Sequence, residues 1–415
     1  MTASLLSQNR NFRLHFAASA VSNLGDGVSL LAMPWLATLL TRDPFLIALV
    51  VTGGRLPWFL FSLPAGVWTD RADRRRLMVR ADLARTALTV AVIALALSVP
   101  ALPRPDNGGT GPILALAALS FLLGTAEVLR DNAAQTLMPR IVTPADLERA
   151  NGQMWSAEQV MNQFVGPPLA GALIGFGIAL PFGLDAATFA IAAALIAMLK
   201  LPAEVPPPRR AFLSELREGL VWLKDHALIR RLAVILGITN AAFTAAITML
   251  ALYSQEILGL GAFGHGMLLT AGAAGGVLAG LFGPRIAARF GPGRTVHAAM
   301  IIFAASYLIL GLFPSRATAV VGLFGDAFGG VLWNVVTVSY RQRVIPSALL
   351  GRVNAAYRFL GWGMMPVGAV AGGLIVRFAE PFTGREAALT LPFLIAGLVT
   401  VGLTVYGFFR LRFPQ

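Results

Sequence analysis

Six carboxylates lie in stretches of this sequence that are otherwise apolar enough to cross a bilayer: Asp26, Glu127, Asp131, Glu158, Asp185 and Asp326. One base, Arg55, stands out in the same setting. An ionisable side chain at the centre of a hydrocarbon core costs about 2.5–3.5 kcal/mol or more, so such groups face a cavity or a partner of opposite charge. Desolvation favours the neutral carboxyl, which lets a buried Asp or Glu take up and release a proton near neutral pH. Asp26, Glu127 and Asp326 are therefore candidates for carrying a proton. Asp26 and Arg55 fall midway along two successive apolar segments. At that matching depth they form either a pair that only joins helices or one that takes part in the proton chemistry. Glu158, with Gln159, Asn162 and Gln163, makes a polar patch that either lines a cavity or lies at an interface. Asp185 sits near the outer end of its segment, within reach of water.

The elements that position these groups follow from composition. Of 415 residues, 56% are hydrophobic and only 13% charged, against roughly 25% charged in a soluble domain; the mean hydropathy is +0.71. Apolar segments of about 20 residues recur throughout, each long enough to span ~30 Å of hydrocarbon as a helix. Alternating strand-like patterns are absent, which excludes a β-barrel. The sequence predicts an all-α polytopic protein with twelve transmembrane helices at about 12–38, 44–68, 77–99, 112–137, 150–176, 178–200, 230–256, 263–287, 295–314, 316–340, 352–377 and 386–409. The start, "MTASLLSQNRNFR", is polar and has no cleavage site before the first span, so no removable signal peptide is expected.

Charge placement orients the chain. The N-terminus, the even-to-odd loops and the C-terminus carry 25 Lys and Arg, the opposite loops only 5. By the positive-inside rule both termini are cytoplasmic, in an inner membrane of bacterial type. The net charge of +13 belongs to these short loops, not to one basic face, which argues against nucleic acid as a partner. There are no cysteines, and the four histidines lack metal-ligand spacing, so neither a disulfide nor a metal site is expected. No phosphate-binding G-x-x-x-x-G-K-[ST] loop and no G-x-S-x-G are present, which removes ATP as an energy source and leaves no catalytic nucleophile. No cofactor is implied, and the chain is expected to work as a monomer.

The segment "LPAEVPPPRRAFLSELREGLVWLKDH" divides the chain. It predicts a cytoplasmic linker at 201–229 with a short amphipathic helix, between six-helix bundles at 1–200 and 230–415. The halves repeat. "RIVTPADLERAN" (140–151) aligns without gaps on "RVIPSALLGRVN" (343–354), and Asn23 matches Asn240 once the longer outer loop of the first half is allowed for. Duplication around a central binding site is a transporter plan.

Between the second and third segments stands "GVWTDRADRRR". With Gly66, Asp70, Arg71, Arg74 and Arg75 it resembles the G-x-x-x-D-R-x-x-R-R/K signature of the major facilitator superfamily, and the resemblance extends over the whole chain. "NFRLHFAASAVSNLGDGVSLLAMPW", "GGRLPWFLFSLPAGVWTDRADRRRLM" and "RDNAAQTLMPRIVTPADLERANG" resemble its twelve-span drug efflux and siderophore exporter branch. "VGPPLAG", with Gly166, Pro167 and Gly171, resembles the antiporter motif G-P-x-x-G-G, Ala170 replacing one glycine. The resemblance implies a cytoplasmic latch: Gly66 packs close to a neighbouring helix, Asp70 caps a helix of the other half near Arg352, and Arg74 or Arg75 reaches Asp131. The alternative is that these arginines only set topology.

The remaining cavity is expected to be lined by Trp35, Trp58, Phe61, Phe243, Trp333, Asn334 and Met364 or Met365, a wall suited to loosely specified hydrophobic ligands. Together these features predict a secondary transporter that exports small hydrophobic or amphipathic compounds, drugs among them, in exchange for protons by alternating access. An exporter of a siderophore or another metabolite is the nearest alternative. A membrane-embedded enzyme or a sensor without transport fits the hydrophobicity but explains neither the duplication nor the charged hinge.

Overall fold

The computed structural model describes residues 5–104, 109–143, 146–201, 212–346, 349–411 and 413; the side chains at 62–71, 212–217, 219, 350, 351 and 355 stand outside that description. Among the described residues every regular element is helical. α1 (Leu5–Gln8), α2 (Arg10–Leu40), α3 (Pro44–Arg71), α4 (Arg74–Ser98) and α5 (Gly111–Ile141) come first. α6 (Leu147–Glu158) passes through a π-helical stretch, Gln159–Val165, into α7 (Gly166–Phe176), and α8 (Ala179–Ala197) follows. After α9 (Phe212–Asp225), α10 (Ala227–Thr248), the short α11 (Leu250–Leu252) and a second π-helical stretch, Tyr253–Ile257, form one rod. α12 (Ala262–Phe290), α13 (Pro292–Leu312), α14 (Arg316–Val344), α15 (Leu350–Trp362), α16 (Met365–Thr383) and α17 (Arg385–Arg410) complete the chain.

Ten of these helices or helical rods are long and apolar enough to cross a membrane. The other two expected spans, 12–38 and 150–176, fall on α2 and on the rod from α6 to α7. Both are long enough but too polar to qualify. α2 carries Ser19, Ser22, Asn23, Asp26 and Ser29, and the π-helical stretch with its preceding residue carries Glu158, Gln159, Asn162 and Gln163.

Helix ends are set locally. In the charged hinge, Asp73 is the N-cap of α4, its side chain accepting from the Arg76 N–H at 3.1 Å. Ser315 and Thr318 form a reciprocal capping box at the start of α14. Gly291 and Gly384, with φ of 82° and 81°, end α12 and α16 in a left-handed conformation that a side chain would strain.

The chain groups into two compact units. The first comprises Met1–Arg42, Gly53–Arg209 and Gly261–Met267. Phe12, Met78, Leu137 and Ile196 lie in one of its apolar clusters. Its helices approach closely through glycine: a Cβ at Gly27 would stand 2.4 Å from the Asn162 carbonyl oxygen, and one at Gly166 2.5 Å from the Gly27 backbone.

The second unit comprises Asp43–Thr52, Arg210–Leu260 and Leu268–Gln415. Its core includes Tyr253, Tyr357 and Phe393, and the Tyr253 hydroxyl donates to the Leu310 carbonyl at 2.8 Å. Here a Cβ at Gly368 would stand 2.1 Å from the Ala241 carbonyl oxygen and one at Gly372 2.3 Å from that of Ala245, so α10 and α16 meet as α2 and α7 do. α9 falls within residues 201–229. It packs against α15, where Glu218 accepts from Arg352 at 2.5 Å.

Candidate functional site

Helical spacing gathers polar side chains onto facing surfaces in the first unit. Ser22, Asp26 and Ser29 share one face of α2, Asp82 and Arg85 one face of α4, and Glu127, Arg130 and Asp131 adjacent turns of α5. Arg85 is the hub. Its guanidinium is 3% exposed, donates to Asp26, and donates to the Ser22 hydroxyl at 3.2 Å. It also stands 3.6 Å from Asp82 and lies 3.7 Å above the centre of the Phe189 ring on α8. Asp82, fully buried, is also 3.6 Å from the Arg130 Nε, and Arg130 Nη1 lies 3.2 Å from Asp131. Asp26, Arg85, Asp82, Arg130 and Asp131 thus form a continuous chain of ion pairs, with its two outermost carboxylates 22% and 33% exposed.

Several expectations change. The partner of Asp26 is Arg85, not Arg55; α2 packs on α8 and α7, and Arg55 is exposed on α3. Equal depth on successive segments did not bring Asp26 and Arg55 together. Asp185 is not wet: it is 1% exposed and accepts from the Ser29 hydroxyl at 2.5 Å. The ion partner of Asp131 is Arg130 of its own helix, and Arg75 instead donates to the carbonyls of Leu199 and Ala197 at 2.9 and 3.4 Å. Those carbonyls end α8, where a cation also complements the helix dipole. Arg74 is half-buried in the first turn of α4, and the Gly66, Asp70 and Arg71 side chains lie outside the described residues.

Gly166, Pro167 and Gly171 are buried. Gly166 seats directly on Gly27, so "VGPPLAG" and "NLGDG" meet as a close helix crossing. Glu127 is half-buried and Glu158 exposed; Asn162 is half-buried and accepts from Gln163 at 2.9 Å. Trp35 is buried, its ring 5.7 Å from that of His265, whereas Trp58 is half-buried. Phe61 stands edge-on to Phe121, and Met364 is exposed.

The second unit brings together four expected residues. Phe243, Asp326, Trp333 and Asn334 line one cavity of about 250 Å³, with Asn240, Phe303 and Tyr307. The Tyr307 hydroxyl donates to Asp326 Oδ1 at 2.5 Å. No Lys or Arg is among the lining residues.

Sequence reasoning passed over Asp82 and the partner roles of Arg85, Arg130 and Tyr307. The available signal was an Asp and an Arg three residues apart inside an apolar span, where neither charge is tolerated alone.

This chain is similar over its full length to the enterobactin exporter EntS of Shigella boydii serotype 4, with 26% identity covering 97% of that protein. It is similar to the multidrug efflux pump Tap of Mycobacterium bovis, with 25% identity covering 93% of this chain and 91% of Tap. Among solved structures, a bacterial homologue of the iron transporter ferroportin in its inward-facing state superposes with a TM-score of 0.73 at 17% identity, covering 97% of this chain and 100% of that one. The nucleoside transporter NupG does so with a TM-score of 0.72 at 14% identity, again covering 97% of this chain and 100% of that one. These two likenesses show the shared fold. The transmembrane secretion effector family matches residues 3–411, as the hinge signature implied. The all-helical chain therefore belongs to the transmembrane secretion effector family of the major facilitator superfamily and is a membrane transporter rather than an enzyme.

Proposed function

We propose that this transporter exports small hydrophobic or amphipathic compounds in exchange for protons. The bundles at 1–200 and 230–415 alternate access around the linker at 201–229, with both termini cytoplasmic in the inner membrane. The observation that carries the coupling is the Asp26–Arg85 pair and its continuation through Asp82 and Arg130 to Asp131. An ion pair removed from bulk water is strong only while both charges persist. A proton on Asp26 cancels its charge and releases Arg85 toward Asp82, weakening the tie between α2 and α4. Protonation thereby becomes a change in helix contact, as an exchange mechanism requires.

Export as the direction is supported by the relatives, an enterobactin exporter and a multidrug efflux pump. A second reading, export of a siderophore, is favoured by the likeness to EntS over the full length of the chain. Both readings are tested in liposomes containing the purified protein and a pH-sensitive dye. A proton gradient is imposed, and cationic drugs, neutral drugs and a catechol siderophore are added in turn. Proton movement that depends on one of these compounds and disappears when the gradient is dissipated supports the exchange and selects between substrates. Substrate movement that is indifferent to the gradient overturns proton coupling.

A further inference from the structure

The cavity of the second unit has a one-sided chemistry. Asp326 lies on α14 about ten residues from its N-terminal end, roughly 15 Å along the axis and close to mid-membrane depth. Oδ1 is held by Tyr307, while Oδ2 has no donor among the described residues. No cation lines the cavity, yet an acid at this depth is normally paired. Phe243, Phe303 and Trp333 line the same cavity, and Gly330 lines it beside the Phe303 ring, where an added Cβ would stand 3.8 Å away. A carboxylate and aromatic side chains lining one cavity are the groups that bind a quaternary or protonated amine, through charge and through the ring quadrupole. The volume, about 250 Å³, lies just below the ~300–1,000 Å³ of drug-sized sites and so fits a small cation.

We propose that this cavity is a recognition site for small monovalent organic cations bearing an apolar group, with Asp326 as the counter-ion and Tyr307 as the residue that positions it. This deepens the transport reading above and rests on it. It separates two duties among the acids: Asp26 carries the proton and Asp326 the charge of the substrate.

The test is equilibrium binding to the full-length protein in detergent of phenyltrimethylammonium and of tert-butylbenzene, its uncharged isostere. The unmodified protein is expected to prefer the cation by at least tenfold. Asp326→Asn, which keeps the shape of the side chain, is expected to lose at least tenfold for the cation and to change less than twofold for the isostere. Gly330→Leu fills the cavity and is expected to lose both ligands; its Cβ alone meets nothing closer than 3.8 Å. Equal binding of the two ligands, cation binding unchanged in Asp326→Asn, or full binding by Gly330→Leu overturns the proposal. The transport reading fails separately: Asp26→Asn is expected to stop proton exchange while leaving cation binding within twofold, and loss of cation binding in that variant also overturns the division of duties.

Discussion

Arg85 on α4 donates to Asp26 on α2, and this contact joins two helices that stand far apart in sequence. Removing the base strands Asp26 and leaves the fully buried Asp82 with Arg130 as its one remaining ion partner among the described residues. Breaking one side of a buried pair typically costs about 3–5 kcal/mol. Arg85→Gln is expected to lower the thermal unfolding temperature of the purified protein markedly. Asp26→Asn combined with Arg85→Gln is expected to recover part of the loss, and an unchanged unfolding temperature in Arg85→Gln would show that the pair carries no structural load.

Asp26→Asn keeps the size and one hydrogen-bond acceptor of the side chain but cannot bind or release a proton at this position. Proton-driven flux in liposomes is expected to vanish, while substrate exchange without a gradient persists. Asp26→Glu should retain a fraction of the driven flux. Full flux in Asp26→Asn would remove this residue from the coupling mechanism.

Gly27→Val tests the crossing of α2 with the π-helical stretch and α7. The added carbons would meet the Asn162 backbone, which has no rotamer to move. Overpacking typically costs about 1–3 kcal/mol, and more where both sides are backbone. The yield of folded, monodisperse protein is expected to fall sharply. At Gly54, where nothing lies within 4 Å of an added Cβ, Gly54→Ala is expected to leave the yield unchanged.

Arg385 clamps two acids in the second unit. Nε and Nη2 donate to Glu256 at 2.8 and 3.1 Å, and Nη1 donates to Glu380 at 2.9 Å. Arg385→Lys keeps the charge and loses the fork that binds both carboxylates at once. These groups are 24–39% exposed, so screening limits the expected loss to about 1 kcal/mol. The difference in unfolding temperature between the two proteins should shrink as salt is raised.

The apolar periodicity made most of the helices readable, since length and hydropathy alone decide whether a segment can cross hydrocarbon. Asp26 was equally legible, as a lone acid in an apolar run. Its partner was not, because pairing between helices depends on which of them are neighbours, and chain order suggested Arg55. Asp82 was hidden for another reason: it follows "RRRLMVRA", whose charges read as the end of a loop. In the second unit Asp326, Trp333 and Asn334 recur at helical spacing and could be assigned to one face. Tyr307 could not, since nothing in a tyrosine's surroundings along the chain shows where its hydroxyl points.

The polarity of α2 also bears on how the protein is made. It is synthesised before α3 and α4, and Asp26 opposes its entry into lipid by about 2.5–3.5 kcal/mol until a partner arrives. That partner, Arg85, is synthesised two helices later. Stable insertion of α2 therefore waits on α4, and a nascent chain cut short before α4 is expected to leave α2 unanchored. The contact that ties α2 to α4 is thus also an order of assembly, in which a segment made earlier settles only when a later one arrives.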